Sequence, residues 1–261
     1  MPDLSTMRSR PAAQSLIEKL LALHDARPAQ SGLARLFGVS PLNAAETPWY
    51  VGARGEIAVA RALAGLPAEW TVLHSVPVGR KESDIDHLLV SPAGVFTINT
   101  KHHSGKRIWV GGRGFLVSGQ KQPYVRNAES EAASVGRLIA RHLPDATLVR
   151  SMIVLVDPGS VRIRKRPELV TVIDARHLVR WLVTQPVMLG PSEVADLAHL
   201  LDNPAVWRET PASAADAPGR FAALDAAVRS AAQRQTLWAG GGVVLLVGAC
   251  MVVASRLLGV A

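Results

Sequence analysis

Apolar side chains at 16, 17, 20, 21 and 23 recur at helical spacing, which predicts an amphipathic helix over residues 12–26. Residues 1–10 carry no such pattern and read as disordered. Pro28, Gly32, Gly38 and Pro41 punctuate 27–47, a loop with one short helical turn. A second helix runs over 49–64 and is ended by Gly65 and Pro67. Then the period shortens. Residues 70–78, 84–90 and 95–101 read as strands, the last two joined by Ser91-Pro92-Ala93-Gly94, a turn with Pro and Gly where a type I turn favours them. Segments 107–111 and 114–118 form a short Gly-bounded hairpin. A helix over 127–142 presents Ala132, Val135, Leu138 and Ile139 on one face, and the β-branched run 147–156 is a buried strand. A strand at 169–173 and helices at 175–185 and 192–202 follow. This order predicts an α/β fold with a central mixed β-sheet flanked by helices.

The C-terminal pattern is different. Residues 209–219 are a Pro/Ala/Ser linker and 220–236 a charged juxtamembrane helix. Leu237–Ala254 is 18 residues without a charge, with Trp238 at one end and Arg256 beyond the other. Roughly 20 such residues span a bilayer, so 237–258 is expected to be a transmembrane helix, and membrane lipid an expected partner. Arg229 and Arg234 precede the run and only Arg256 follows, which places the bulk of the protein on the cytoplasmic side of the cell membrane. The N-terminus lacks the apolar run of a secretory signal.

Composition adds two constraints. A single cysteine, Cys250, excludes an internal disulfide and a Cys-based zinc site. The 29 Lys and Arg against 21 Asp and Glu make the chain basic, and Arg supplies 23 of the 29. Arg-weighted basic chains fit nucleic acid or anionic lipid, and equally reflect genome composition. Arg162, Arg164, Lys165 and Arg166 crowd one segment, expected to be a loop on a nucleic-acid backbone, on lipid or in solvent. His102, His103, Lys106 and Arg107 form a second basic rim after Lys101.

The hairpin carries the candidate chemistry. If its register continues outward from the turn, Asp86 faces Asn99 and Asp84 faces Lys101, all four on one face with Leu88, Val90, Val95 and Thr97. Ile85, Leu89, Phe96, Ile98 and His87 then point to the other face. Carboxylate and amide oxygens are hard ligands suited to Mg²⁺, and a nearby Lys stabilises charge built up in phosphodiester cleavage. An ordinary cross-strand ion pair between Asp84 and Lys101 explains the same spacing.

Gly52-Ala53-Arg54-Gly55-Glu56 at a helix start, Asp84-Ile85-Asp86-His87-Leu88-Leu89-Val90, and Gly94-Val95-Phe96-Thr97-Ile98-Asn99-Thr100-Lys101 together resemble the nuclease-related domain, NERD. That family is similar to the PD-(D/E)xK nucleases of restriction-endonuclease-like fold, and the resemblance covers about residues 48–160. It implies Glu56 as a helix acid beside a metal, Asp86 as the central metal-bridging carboxylate and Lys101 as the catalytic lysine. Asn99 stands where the superfamily usually has an acid, and Asp84 is a candidate substitute. The expected organisation is an N-terminal helix and loop (1–47), the nuclease-related domain (48–160), an α/β extension (161–208), a linker with juxtamembrane helix (209–236) and the transmembrane helix. The function implied is membrane-tethered, Mg²⁺-dependent hydrolysis of DNA or RNA. The alternative is a catalytically weak or inactive nucleic-acid-binding module, favoured by Asn99.

Overall fold

The computed structural model describes residues 6–78, 83–142, 149–208 and 216–257. The chain divides into two compact units, one of residues 1–18 and 49–214 and one of 19–48 and 215–261.

In the first unit α1 (Gln14–Asp25) contributes its opening turn, and α3 (Thr47–Leu63) precedes β1 (Thr71–Val78), β2 (Ser83–Ser91) and β3 (Gly94–His102). Then come β4 (Arg107–Gly111), β5 (Gly114–Val117), β6 (Gln120–Gln122), α4 (Tyr124–His142), β7 (Val149–Val156), β8 (Ser160–Lys165), β9 (Val170–Asp174), α5 (Leu178–Val183) and α6 (Pro191–Asp202). The main sheet has five strands in the order β1-β2-β3-β7-β9. Its first three strands are antiparallel and its last three parallel, so the expected mixed sheet is present. A second sheet of four strands runs β6-β5-β4-β8.

Both faces of the main sheet are covered. Leu73, Leu88, Val90 and Val95 pack with Val135 and Ile139 of α4 and with Leu197 and Leu201 of α6. Leu89, Phe96, Ile98 and Met152 pack with Val59 and Leu63 of α3 and with Leu178 and Leu182 of α5. Ile108, Val110 and Phe115 of the second sheet pack with Val125 and Ala128 of α4. Residues 7–9 form a 3₁₀ turn whose Met7 is buried in the first of these cores, so the N-terminal reading of disorder fails there. Residues 1–5 lie outside the described residues.

The basic segment 160–165 is strand β8 and not a loop. It pairs parallel to β4, which fixes Val161 beside Ile108 and Arg162 beside Trp109.

The second unit holds the rest of α1, α2 (Gly32–Leu36) and α7, a helix of 41 residues from Ala217 to Leu257. Glu46 is fully buried and accepts hydrogen bonds from Arg27 Nη1 (2.6 Å) and the Asn43 amide (2.8 Å). The expected transmembrane helix requires correction. Among the described residues no helix is long and apolar enough to cross a membrane. The uncharged run continues a helix that carries Arg220, Asp225, Arg229 and Arg234. Trp238, at the start of that run, donates its indole N–H to the Leu36 carbonyl (2.9 Å) and packs on Phe37. The lipid partner inferred from that helix loses its support. The linker at 209–215 lies outside the described residues.

Candidate active site

The turn sets the register of β2 and β3 as expected, from Ser91 opposite Gly94 to His87 opposite Ile98. There the ladder stops, so Asp86 and Asn99 do not pair through their backbones. The Asp86 carboxylate instead accepts the Thr100 amide at 2.5 Å. On its other side β2 pairs with β1 at His87–His74 and again at Ile85–Val76, skipping the step between Asp86 and Ser75. Ser75 adopts φ 49°, a left-handed conformation costly for a residue with a side chain.

The N-terminal segment holds that kink. Ser75 Oγ accepts from the Gln14 amide (3.0 Å) and donates to the Pro11 carbonyl (3.1 Å), while Arg10 Nε donates to the Ser75 carbonyl (3.0 Å). Beyond the kink the strand alternation slips. Ile85 therefore lies in the same core as Leu88, not opposite it as a regular hairpin requires. Asp86 is thus released from both neighbouring ladders.

Glu56 reaches this place from α3. Gly55 permits the approach, because a Cβ there would lie 2.8 Å from His102 Cβ. Glu56 is buried, and burial, reinforced by Asp86, raises its carboxyl well above the ordinary range. Burial also raises Asp86, with Lys101 and the Thr100 amide opposing the shift. Asn99, 7% exposed, donates through Nδ2 to Oε1 of Glu131 at 2.7 Å. Glu131, on α4, is pushed from 4.5 to about 8 by burial and by the charge of Asp86. Asn99 Oδ1 and Glu131 Oε2 are buried without a hydrogen-bond partner. Lys101 Nζ sits 5.0 Å above the Tyr124 ring and favours the charged forms of Glu56, Asp86 and Glu131.

Asp84 does not pair with Lys101. It lies 3.5 Å from Arg208, and burial raises its carboxyl despite Ser15, Arg10 and Arg208. His87 is fully buried, its Nδ1 2.8 Å from His74 Nδ1, and burial drives its pKa well below the usual value. His102 bonds the Val51 carbonyl through Nδ1 (3.0 Å), and His103 stacks on Tyr124, so both rings have packing partners. Lys106, Arg107, Arg162, Arg164, Lys165 and Arg166 are exposed.

Sequence reasoning missed Glu131, although an acid between Ala128 and Ala132 on an otherwise apolar helix face was a signal. It also missed Ser75, Gln14 and Arg10, which no local pattern marks.

Residues 51–156 match the family model of the nuclease-related domain, NERD. The matched span runs from the turn of α3 that carries Gly55 and Glu56 to the end of β7 and includes Asp86, Asn99, Lys101 and Glu131. The resemblance drawn from the motifs holds, and a nuclease-related domain points to nucleic acid as its partner. No curated protein and no solved structure matches the chain.

Proposed function

We propose that the nuclease-related domain hydrolyses phosphodiester bonds of DNA or RNA with the help of a divalent cation, Mg²⁺ being the ion suited to its oxygen donors. One observation carries this reading. Glu56 and Glu131 each interact with Asp86 and Lys101 in a buried site, while Asn99 Oδ1 and Glu131 Oε2 lack partners. Buried polar atoms are normally satisfied, and two orphaned oxygens on side chains that are hydrogen-bonded to each other suit a cation or its water.

Among the described residues no three His, Cys, Asp or Glu side chains are gathered to hold a metal. The donor set fits nonetheless when the amide is counted: Asp86, Glu131 and the Asn99 carbonyl oxygen, with Glu56 beside Asp86 to orient water. Glu131 supplies the charge that Asn99 lacks, the role expected of Asp84. A bound Mg²⁺ would polarise the phosphate and activate water. Lys101, steadied over Tyr124, presents its ammonium to a phosphate oxygen and stabilises the charge that develops there. Buried carboxyls keep bulk water from screening that interaction.

Asn99, an amide where the superfamily usually has an acid, favours a second reading, a domain that binds nucleic acid without turnover. Incubating the full chain with end-labelled DNA and RNA separates the two. Hydrolysis predicts cleavage with Mg²⁺ that EDTA and Lys101→Ala both remove. Binding without cleavage under all conditions supports the second reading.

A further inference from the structure

The central strands of the second sheet, β4 and β5, have one face in the core and one face outside, and β8 is exposed along its length. Ile108, Val110 and Phe115 point inward and are buried. The register sets Lys121, Leu116, Trp109 and Arg162 in a row across the other face, one from each strand. Arg107 flanks that row by strand alternation, and on the other side a bulge in β8 sets Arg164 and Lys165 together opposite Gly111.

Trp109 lies flat on this face. A Cβ at Gly111 would fall 2.2 Å from its Cη2, and one at Gly114 would fall 3.4 Å from its Cζ3. The six-membered ring therefore rests on glycine backbone, where any side chain would tilt it upright. Its other side carries no stacked ring and no cation among the described residues. Arg107, Lys121, Arg162 and Arg164 are exposed and make no side-chain hydrogen bond or ion pair among the described residues.

A solvent-facing indole laid on a sheet amid unpaired cations is chemically complementary to one class of ligand. Unstacked bases bind aromatic faces while their phosphates bind Arg and Lys, whereas a duplex keeps its bases stacked on each other. We propose that this face is a stacking platform for single-stranded nucleic acid, with Trp109 taking a base and Arg107, Lys121, Arg162 and Arg164 taking phosphates. The proposal rests on the nucleic-acid reading above and assigns the strandedness of the ligand.

The test is anisotropy of labelled oligo-dT, oligo-U and a duplex of equal length, titrated in EDTA with the full chain so that cleavage does not intervene. Trp109→Ala weakens single-strand binding by about tenfold and leaves the salt slope unchanged, because stacking releases no counterions. Trp109→Phe retains most of the affinity. The double variant Arg162→Ala/Arg164→Ala lowers the slope by about 1.4, since each single-strand phosphate contact contributes about 0.7. Should Trp109→Ala unfold on heating below wild type, Trp109→Leu, which still covers the glycines, takes its place. Wild-type affinity in the Trp109 variant, or an equal loss for the duplex, overturns the platform alone. A wild-type chain that binds none of the three overturns the nucleic-acid reading as well.

Discussion

Asn99 donates to Glu131 across 2.7 Å, joining a strand amide to a helix acid whose second oxygen is left buried and unpaired. In the folded state Glu131 holds its proton to about pH 8, against an ordinary 4.5. A raised carboxyl stabilises the fold fully below its unfolded value and loses that contribution as pH rises through the folded value. In EDTA, the melting temperature of the wild-type chain should therefore lose this contribution between about pH 4.5 and about pH 8. Glu131→Gln, neutral throughout, should remove that part of the slope. Differential scanning calorimetry across this range checks it, and an unchanged slope in the variant removes Glu131 as its source.

Asp86 has a structural duty beside its chemical one. Asp86→Ala leaves the Thr100 amide without its acceptor, which should cost about 1–3 kcal/mol. Asp86→Asn keeps an acceptor oxygen and should fold almost as well as wild type, while losing the charge needed for a metal. Urea midpoints of the two variants separate these effects. Equal stability of both would deny the Asp86–Thr100 bond a role in the fold.

Gly55 sets the distance between α3 and β3. A methyl group there meets His102 Cβ at 2.8 Å, so Gly55→Ala should destabilise the chain by about 1–3 kcal/mol despite the better helix propensity of alanine. It should also reduce cleavage, because the same shift moves Glu56 from Asp86. Denaturation and cleavage rates measured together check both. A stable, fully active variant would mean that the helix gives way without moving the acid.

The hairpin was legible because a two-residue turn fixes register for as long as the ladder lasts, here to His87–Ile98. One step further, local rules stop applying. Whether Asp86 pairs across depends on Ser75 at φ 49° and on residues 10–14 that hold it, more than 60 positions away in the chain. Glu56, Asp86 and Lys101 were visible as residue types at motif spacing. Glu131 was not, since its partner is set by helix packing. The alternation of Val161, Arg162, Ile163 and Arg164 marked β8, but the charge run drew the reading toward a loop. At the C-terminus, a count of uncharged residues took no account of the charged helix they continue.

The proposed hydrolysis stands on a divalent cation held by Asp86, Asn99 and Glu131. Isothermal titration of Mg²⁺, and of Mn²⁺ as a tighter-binding probe, into the full chain at about pH 8 tests it most directly, because Glu131 is then free to give up its proton. One site per chain with proton release is expected, lost in Asp86→Asn and in Glu131→Gln and strengthened in Asn99→Asp, where an added negative charge raises affinity for a hard cation. Absence of binding in both wild type and Asn99→Asp, or binding that Asp86→Asn and Glu131→Gln leave unchanged, would contradict it.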